Sequence, residues 1–374
     1  GGRLGEGVPI NGGGLLKIVI SHGDGDEELG EEIPDNRIIR VAYQIHRQGE
    51  RVIFVSKDIN ARIKADALGI EAVDFEKEKV NIEELFAGYR HLKVPGVLVD
   101  EFNANQSVTV ANTDLMPNEF ITLVDEHDPR HSVLTRVRED CVTLVHLSAA
   151  TETAWHIKPR SREQRMTLEL LMDDAVQVVT LLGQAGTGKT LLALAAGLEK
   201  TLVQKRYDKM LVTRPIMPFG KDIGYLPGDK GEKLANWMLP IFDNLTYLMM
   251  FKSPQAEHRM TVRERIEKLQ RDEVIELEAL TYIRGRSIPR QFVIVDEAQN
   301  LTPHEVKTII SRAGEGTKMV LTGDPYQIDN PYLDSSSNGL SYAVERLKHQ
   351  SIHGHVTLTK SERSTLAAIA ADLL

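Results

Sequence analysis

The sequence has little cysteine. One residue, Cys141, stands alone among 374, so no disulfide can form within the chain, and such usage fits a reducing cytoplasm. Its apolar runs fall well short of the roughly 20 residues that a membrane span requires, and no early segment reads as a signal peptide. The expectation is a cytoplasmic protein with no membrane partner. Positive charge is also short: 45 Lys and Arg against 54 Asp and Glu leave a net −9. With no global basic field, any polyanion must be held by local basic patches. Low-complexity linkers are missing too. With 41% hydrophobic and 26% charged residues, the chain is an ordinary globular one with room for two or three domains.

One stretch carries an explicit chemistry. In "LLGQAGTGKTLLAL", Gly183, Gly188, Lys189 and Thr190 fill the pattern G-x-x-x-x-G-K-[ST], with Gln184, Ala185, Gly186 and Thr187 between them. "AVQVVTLL" before it reads as a buried strand and "TLLALAAGLEK" after it as a helix. Glycines let the backbone wrap a phosphate chain so that N–H groups and the positive end of the helix face the anion. Lys189 then reaches the outer phosphates of ATP, and the Thr190 hydroxyl holds Mg²⁺.

Strand and helix patterns alternate from Leu15 to about Phe75, the order of a mostly parallel sheet: "LLKIVIS", "DNRIIRVAYQIHRQG", "RVIFVSKD", "INARIKADALGI". From about Val94 to Val145 short runs follow ("GVLVDEF", "SVTVAN", "NEFITLVD", "HSVLTRV", "VTLVHL"), which read as a small β module. Beyond Ile157 the strand and helix alternation returns. The expected domains are residues 1–88, 89–155 and 156–374.

Within the last region, "QFVIVDEAQN" delivers Asp296 and Glu297 to a strand end, where Asp296 would coordinate Mg²⁺ and Glu297 would polarise the attacking water. The bland alternative is two solvated acids. "KMVLTGDPYQID" brings Thr322, Gly323, Asp324 and Gln327 to the same edge, where they could sense the γ-phosphate. Gln164 opens an amphipathic helix, "REQRMTLELLM". Its amide suits the donor and acceptor edge of adenine, unless it is simply an exposed glutamine at a helix start.

From about Ile157 to Leu374 the chain resembles a PhoH-family ATPase in long blocks: "GQAGTGKTLLALAAGL", "TRPIMPFGKDIGYLPGDKGEKLANWMLPIFDNL", "YIRGRSI", "VIVDEAQNLTPHEVKTIISRAGEGTKMVLTGDPYQID" and "TKSERSTLAAIAADLL". The pairing of "DEAQN" with "TGDPYQID" also resembles motifs of superfamily-one helicases, with Gln164 at the position of their adenine-reading glutamine. The resemblance implies a RecA-like P-loop core and a hexameric ring.

"PDNRIIRVA", with Asp35, and "VIFVSKDINARIKADALGI", with Asp58, resemble the places where a PIN nuclease domain sets its third and fourth acids. That family clusters carboxylates around Mg²⁺ or Mn²⁺. The strand bearing the first acid and the helix bearing the second have no match here, and "GGRLGEGVPINGG" reads as interior text. The expected fold class is therefore α/β: a partial PIN-like parallel sheet, a small β linker module and a RecA-like ATPase core. Nuclease chemistry is expected only from a complete PIN domain, and both acids also suit helix caps.

Too little chain follows the phosphate loop for two ATPase lobes, so a neighbouring subunit is expected to complete the site. Arg363 in "TKSERSTLAA" is the candidate arginine finger. Arg214, Lys221, Tyr282, Arg284 and Arg286 are candidate contacts for single-stranded RNA, cations for phosphate and an aromatic ring for a base. These features favour an ATP-driven RNA-remodelling enzyme over a protein-remodelling ring or a nucleotide-dependent switch. The acidic run "DGDEELGEE" reads as a solvated loop, His349, His353 and His355 as a surface turn, and Trp155 and Trp237 as core or interface residues.

Overall fold

The computed structural model describes residues 8–9, 15–18, 34–56, 58–73, 80–110, 114–215, 237–250, 260–280, 283, 285 and 287–360. The chain forms two compact units, Gly1–Glu78 and Lys79–Leu374.

In the first unit, β1 (Val8–Pro9) pairs antiparallel with β2 (Leu15–Leu16). α1 (Pro34–Arg47), β3 (Ile53–Val55), α2 (Ile59–Ala67) and β4 (Glu71–Val73) follow, with β3 and β4 parallel as the sequence alternation predicts. Ile39, Phe54, Ala61, Ala65 and Ile70 form its small core.

The second unit opens with β5 (Tyr89–Val94), α3 (Gly96–Asn105), β6 (Ser107–Thr109), β7 (Phe120–Asp125), β8 (Ser132–Val137) and β9 (Thr143–His146). The five strands lie in the order β5-β7-β8-β9-β6. "GVLVDEF", expected as a β run, is helical. Its alternating valines mimic a strand, but Val99 and Phe102, one turn apart, are both fully buried against the sheet while Val97 is 76% exposed. Tertiary packing overrides the β preference of valine here.

The remaining elements are α4 (Arg162–Met172), β10 (Val178–Gly183), α5 (Lys189–Leu198), β11 (Lys209–Arg214), α6 (Leu239–Met250), α7 (Val262–Arg271), β12 (Ile275–Ala279), β13 (Gln291–Val295), α8 (Pro303–Ile310), β14 (Lys318–Gly323), α9 (Gly339–Leu347) and β15 (His353–Leu358). Six parallel strands run in the order β12-β11-β13-β14-β10-β15. Their apolar runs are continuous because both faces are covered. Val179, Leu181, Phe292, Ile294 and Val320 pack against α4, α5 and α6, while Val178, Leu182, Val293, Val295 and Leu321 pack against α8 and α9.

Polar residues cement this packing. The Asn118 amide donates to the carbonyls of Ser351 (2.7 Å) and His353 (2.8 Å), tying the five-stranded sheet to the start of β15. The Lys318 ammonium, fully buried, donates to the carbonyls of Leu170, Asp173 and Val176 at 2.6–2.8 Å and so satisfies the C-terminal end of α4.

The histidine cluster differs from expectation. His349 is exposed, but His353 and His355 are 2% and 1% exposed on β15, where both approach the Thr180 hydroxyl at 2.9 and 2.8 Å. The sequence window showed the loop before them, whereas their burial comes from pairing of β15 with β10, a strand distant in sequence.

Burial pushes His353 down to about 4, and burial with the neighbouring His353 pushes His355 down to about 3. An unfolded histidine takes up its proton near pH 6.5, so below that pH the unfolded chain binds protons that the folded chain refuses. Stability is therefore predicted to fall as pH drops from about 6.5 toward 4, by up to about 1.4 kcal/mol per pH unit for each histidine. Urea unfolding of the parent and of His355→Asn across this window checks it. The parent's midpoint should decline more steeply than the variant's, and equal slopes would contradict the assignment.

Candidate functional site

Parallel pairing brings the C-terminal ends of the central strands to one edge. Val295 of β13 lies in register with Thr213 of β11 and with Leu321 of β14, and Leu182 of β10 with Gly323 of β14. At this edge lies a cleft of about 380 Å³ lined by the phosphate loop, Asp296, Glu297, Gly323, Asp324 and Gln327. Pro240 and Asn244 of α6 complete one wall.

The phosphate loop follows the expected strand and precedes the expected helix. Gly188 stands at φ +91°, a left-handed conformation that glycine adopts without strain, and a Cβ there would come within 3.1 Å of the Gln164 amide nitrogen. The Lys189 ammonium is turned onto its own loop, donating to the carbonyls of Gly183 (2.5 Å) and Gln184 (2.9 Å). Phosphate oxygens, stronger acceptors, are suited to take over these bonds. The Asp324 carboxylate accepts from the Ala185 N–H at 3.2 Å and so pins the loop to the end of β14.

Gln164 is buried, unlike the exposed helix-start alternative. Its carbonyl accepts from the Arg160 N–H at 2.8 Å, and its amide donates to the Thr187 carbonyl at 3.1 Å. The side chain thus braces the phosphate loop from α4.

Asp296 and Glu297 are not solvated acids at a strand end. Asp296, 5% exposed, accepts on one oxygen from the hydroxyls of Thr190 (2.8 Å) and Thr322 (2.6 Å). Burial, and then the charge of Glu297, raise its pKa, and Thr322, Arg214 and Thr190 pull it back down. A buried anion so placed favours a neighbouring cation. No cluster of three or more His, Cys, Asp or Glu side chains among the described residues is arranged for a metal. The Thr190 hydroxyl and Asp296 carboxylate nevertheless fit Mg²⁺, a hard cation that commonly takes one or two protein oxygens and completes its shell with phosphate and water.

Two residues join the site that the motifs did not assign to it. Arg214, grouped by sequence with the RNA contacts, sits between the two acids: Nε lies 3.4 Å from Asp296 Oδ2, and Nη2 donates to Glu297 Oε1 at 3.0 Å. Gln299, fully buried, donates through Nε2 to Glu297 Oε2 (2.6 Å) and to the Gln327 carbonyl (2.8 Å), and its Oε1 accepts from the Asp324 N–H (3.2 Å). Gly323 makes room for it, since a Cβ there would lie 2.3 Å from Gln299 Oε1. The signal for Gln299 was its place in "DEAQN". Nothing in the local text placed Arg214 beside the acids.

Asp58 is the N-cap of α2, accepting from the N–H groups of Asn60 (2.7 Å) and Ala61 (3.3 Å). Asp35 lies in the first turn of α1, and its side chain is outside the described residues, as are Lys221, Tyr282, Arg284, Arg286 and Arg363.

The strand order, the phosphate loop after β10 and the acids after β13 define a P-loop ATPase with a RecA-like core. The chain belongs to the PhoH-like protein family, which its residues 156–372 match, and residues 12–76 match a PIN domain. It is 47% identical over 386 residues to Protein PhoH2 of Bacillus subtilis, covering 100% of this chain and 86% of that protein. It is 36% identical over 379 residues to Protein PhoH2 of Mycolicibacterium smegmatis, covering 100% and 82%. Among solved structures, the Pif1 helicase from Candida albicans is 18% identical, with a TM-score of 0.30 over 58% of this chain and 43% of that one. The Sulfolobus solfataricus SWI2/SNF2 ATPase core in complex with dsDNA is 16% identical, with a TM-score of 0.32 over 57% and 47%. The match thus spans less than half of either solved chain. Among the described residues, no helix is long and apolar enough to cross a membrane.

Proposed function

We propose that this chain hydrolyses ATP to remodel or unwind RNA, and that the work is done in a ring of subunits. The observation that carries the reading is the convergence of Lys189, Thr190, Asp296 and Glu297 on one cleft, with the buried Thr322 hydroxyl donating to Asp296. Lys189 exchanges loop carbonyls for the β- and γ-phosphates of ATP. Thr190 and Asp296 would hold Mg²⁺, which neutralises phosphate oxygens when bound. Glu297 accepts a proton from the attacking water, and Gln327 and Asp324, linked to Glu297 through Gln299, report the γ-phosphate to it. To read adenine, the Gln164 amide would exchange its bonds to the Arg160 N–H and the Thr187 carbonyl for the base. RNA is favoured as the substrate by the pairing of "DEAQN" with "TGDPYQID", and Lys221, Tyr282, Arg284 and Arg286 are its proposed contacts. ATP turnover should rise when single-stranded RNA is added, and Glu297→Gln should bind ATP yet abolish turnover. Stimulation by unfolded protein and not by RNA would support a protein-remodelling ring instead, and parental turnover by Glu297→Gln would remove Glu297 from the mechanism.

In the proposed ring, Arg363 of one subunit would serve the γ-phosphate of its neighbour, where a guanidinium typically contributes about 10³-fold or more to turnover. Homomers of Arg363→Ala and of Lys189→Ala should each be inactive, and mixed assemblies should regain part of the activity. Confirmed mixing without recovery would rule out the finger in trans.

The first unit is assigned to a PIN ribonuclease in which Asp35 and Asp58 belong to a larger acid cluster holding Mg²⁺ or Mn²⁺. Because two acids hold a hard cation weakly, RNA cleavage by these residues with Mg²⁺ or Mn²⁺ is expected to be poor. Robust metal-dependent cleavage by the 374 residues that is lost in Asp58→Asn would overturn this and show that two acids suffice.

A further inference from the structure

The chain carries a net charge of −9, so a polyanion must find its cations in a local patch. One such patch lies outside the motifs. Between Ile157 and Arg162, where the chain leads into α4, exposure alternates: Lys158, Arg160 and Arg162 are exposed, and Ile157, Pro159 and Ser161 are half-buried. An extended chain sets every second residue on the same side, roughly 6–7 Å apart, so the three cations form a row. Among the described residues none of the three makes an ion pair, whereas Arg136, Arg165, Lys200, Arg206 and Arg290 nearby in the core all do. Arg162 is moreover the first residue of α4, at the positive end of the helix dipole, where a cation is disfavoured and an anion favoured.

One end of the row opens on a cavity. Its volume is about 410 Å³, and Lys158 lines it together with Thr153, Trp155, His156, Glu199 and Gln204. Two departures from regular backbone shape it. Trp155 and His156 are consecutive left-handed residues, at φ 46° and 63°, a conformation uncommon outside glycine and characteristic of ligand clamps. The indole is buried, donating through Nε1 to the Leu248 carbonyl at 3.0 Å, and the His156 ring is exposed. Beyond α5 the chain makes one turn of π-helix, Glu199–Val203, a rare geometry that is frequent at functional sites, and Glu199 Oε2 accepts from the Trp155 N–H at 3.2 Å. The other end of the row meets the nucleotide site, where the Arg160 N–H donates to Gln164.

We propose that this face binds single-stranded RNA. Lys158, Arg160 and Arg162 take successive phosphates, and one base enters the cavity against the His156 ring, where the Glu199 carboxylate and the Gln204 amide meet its polar edge. The proposal rests on the reading of RNA as the substrate and gives it contacts that no motif marks. A row of cations alone would suit an acidic peptide equally. The cavity at its end favours a nucleotide, because it offers an aromatic ring to stack on and groups that pair with a base edge, which an acidic side chain does not need.

The test measures Kd for a fluorescently labelled oligouridylate by anisotropy, without ATP, as NaCl is raised. Each phosphate contact to a single strand contributes about 0.7 to the slope of log K against log salt. The combined variant Lys158→Gln, Arg160→Gln and Arg162→Gln should therefore bind about tenfold or more weakly, with a slope shallower by about 2. His156→Asn removes the ring while keeping a residue that tolerates the left-handed backbone, and it should bind about tenfold more weakly with the slope unchanged. All four side chains are exposed, so the variants should fold, and KM for ATP should hold. Parental Kd and slope in the combined variant overturn the phosphate row, and parental Kd in His156→Asn overturns the base pocket. A raised KM for ATP with RNA binding intact would assign the row to the nucleotide and overturn the proposal. Polyglutamate competing as well as unlabelled oligouridylate would mark an acidic-peptide site and overturn it too. If the parent itself binds no RNA, the reading of RNA as the substrate fails and this site with it.

Discussion

The carboxylate of Asp296 is the constraint around which the nucleotide site is arranged. A buried anion is costly unless its oxygens are met, and this one is met by hydroxyls from two different segments, Thr190 and Thr322, and by the Arg214 guanidinium. Each partner sits at the C-terminal end of a strand or just past the phosphate loop, so satisfying Asp296 requires β11, β13, β14 and the start of α5 in fixed register. The same demand that stabilises the carboxylate therefore assembles the cleft. The continuous apolar runs of β10, β13 and β14 supply the driving force for sheet formation, and the polar ends decide where it must stop.

What could be read along the chain was what depends on neighbouring residues. The phosphate loop, the acids of "VDEAQN" and the polar end of β14 are contiguous text whose local geometry alone aims them at a ligand. Groups whose role comes from strands distant in sequence were not legible. Arg214 reads as one more cation before a Gly/Pro-rich stretch, yet pairing of Thr213 with Val295 sets it against Asp296. His353 and His355 sit beside a polar loop in sequence and inside the sheet in space, because β15 pairs with β10. Lys318 opens a strand, and its chemistry is the closure of a helix end formed by residues far upstream. The α3 helix was missed for a related reason, since only burial of Val99 and Phe102 against the small sheet distinguishes it from an alternating strand.

Motif text also overlaps in meaning. Asp58 matches both an acid of the PIN pattern and a helix N-cap, and the bonds to Asn60 and Ala61 engage one of its oxygens as a cap. A capping carboxylate retains its second oxygen for other work, so the local geometry is compatible with both uses. In the ATPase core no such ambiguity exists for Thr190 and Asp296, which meet each other directly at 2.8 Å.

That meeting makes the metal dependence of nucleotide binding the most direct probe of the site. Calorimetric titration of a non-hydrolysable ATP analogue, with Mg²⁺ and with the metal chelated, should be made on the parent and on Asp296→Asn. If Thr190 and Asp296 hold the metal, Mg²⁺ should tighten binding to the parent by about tenfold or more and the variant should gain little from it, while the two bind the metal-free nucleotide alike. An equal gain from Mg²⁺ in both proteins would contradict the assignment of Asp296 as the centre of the site.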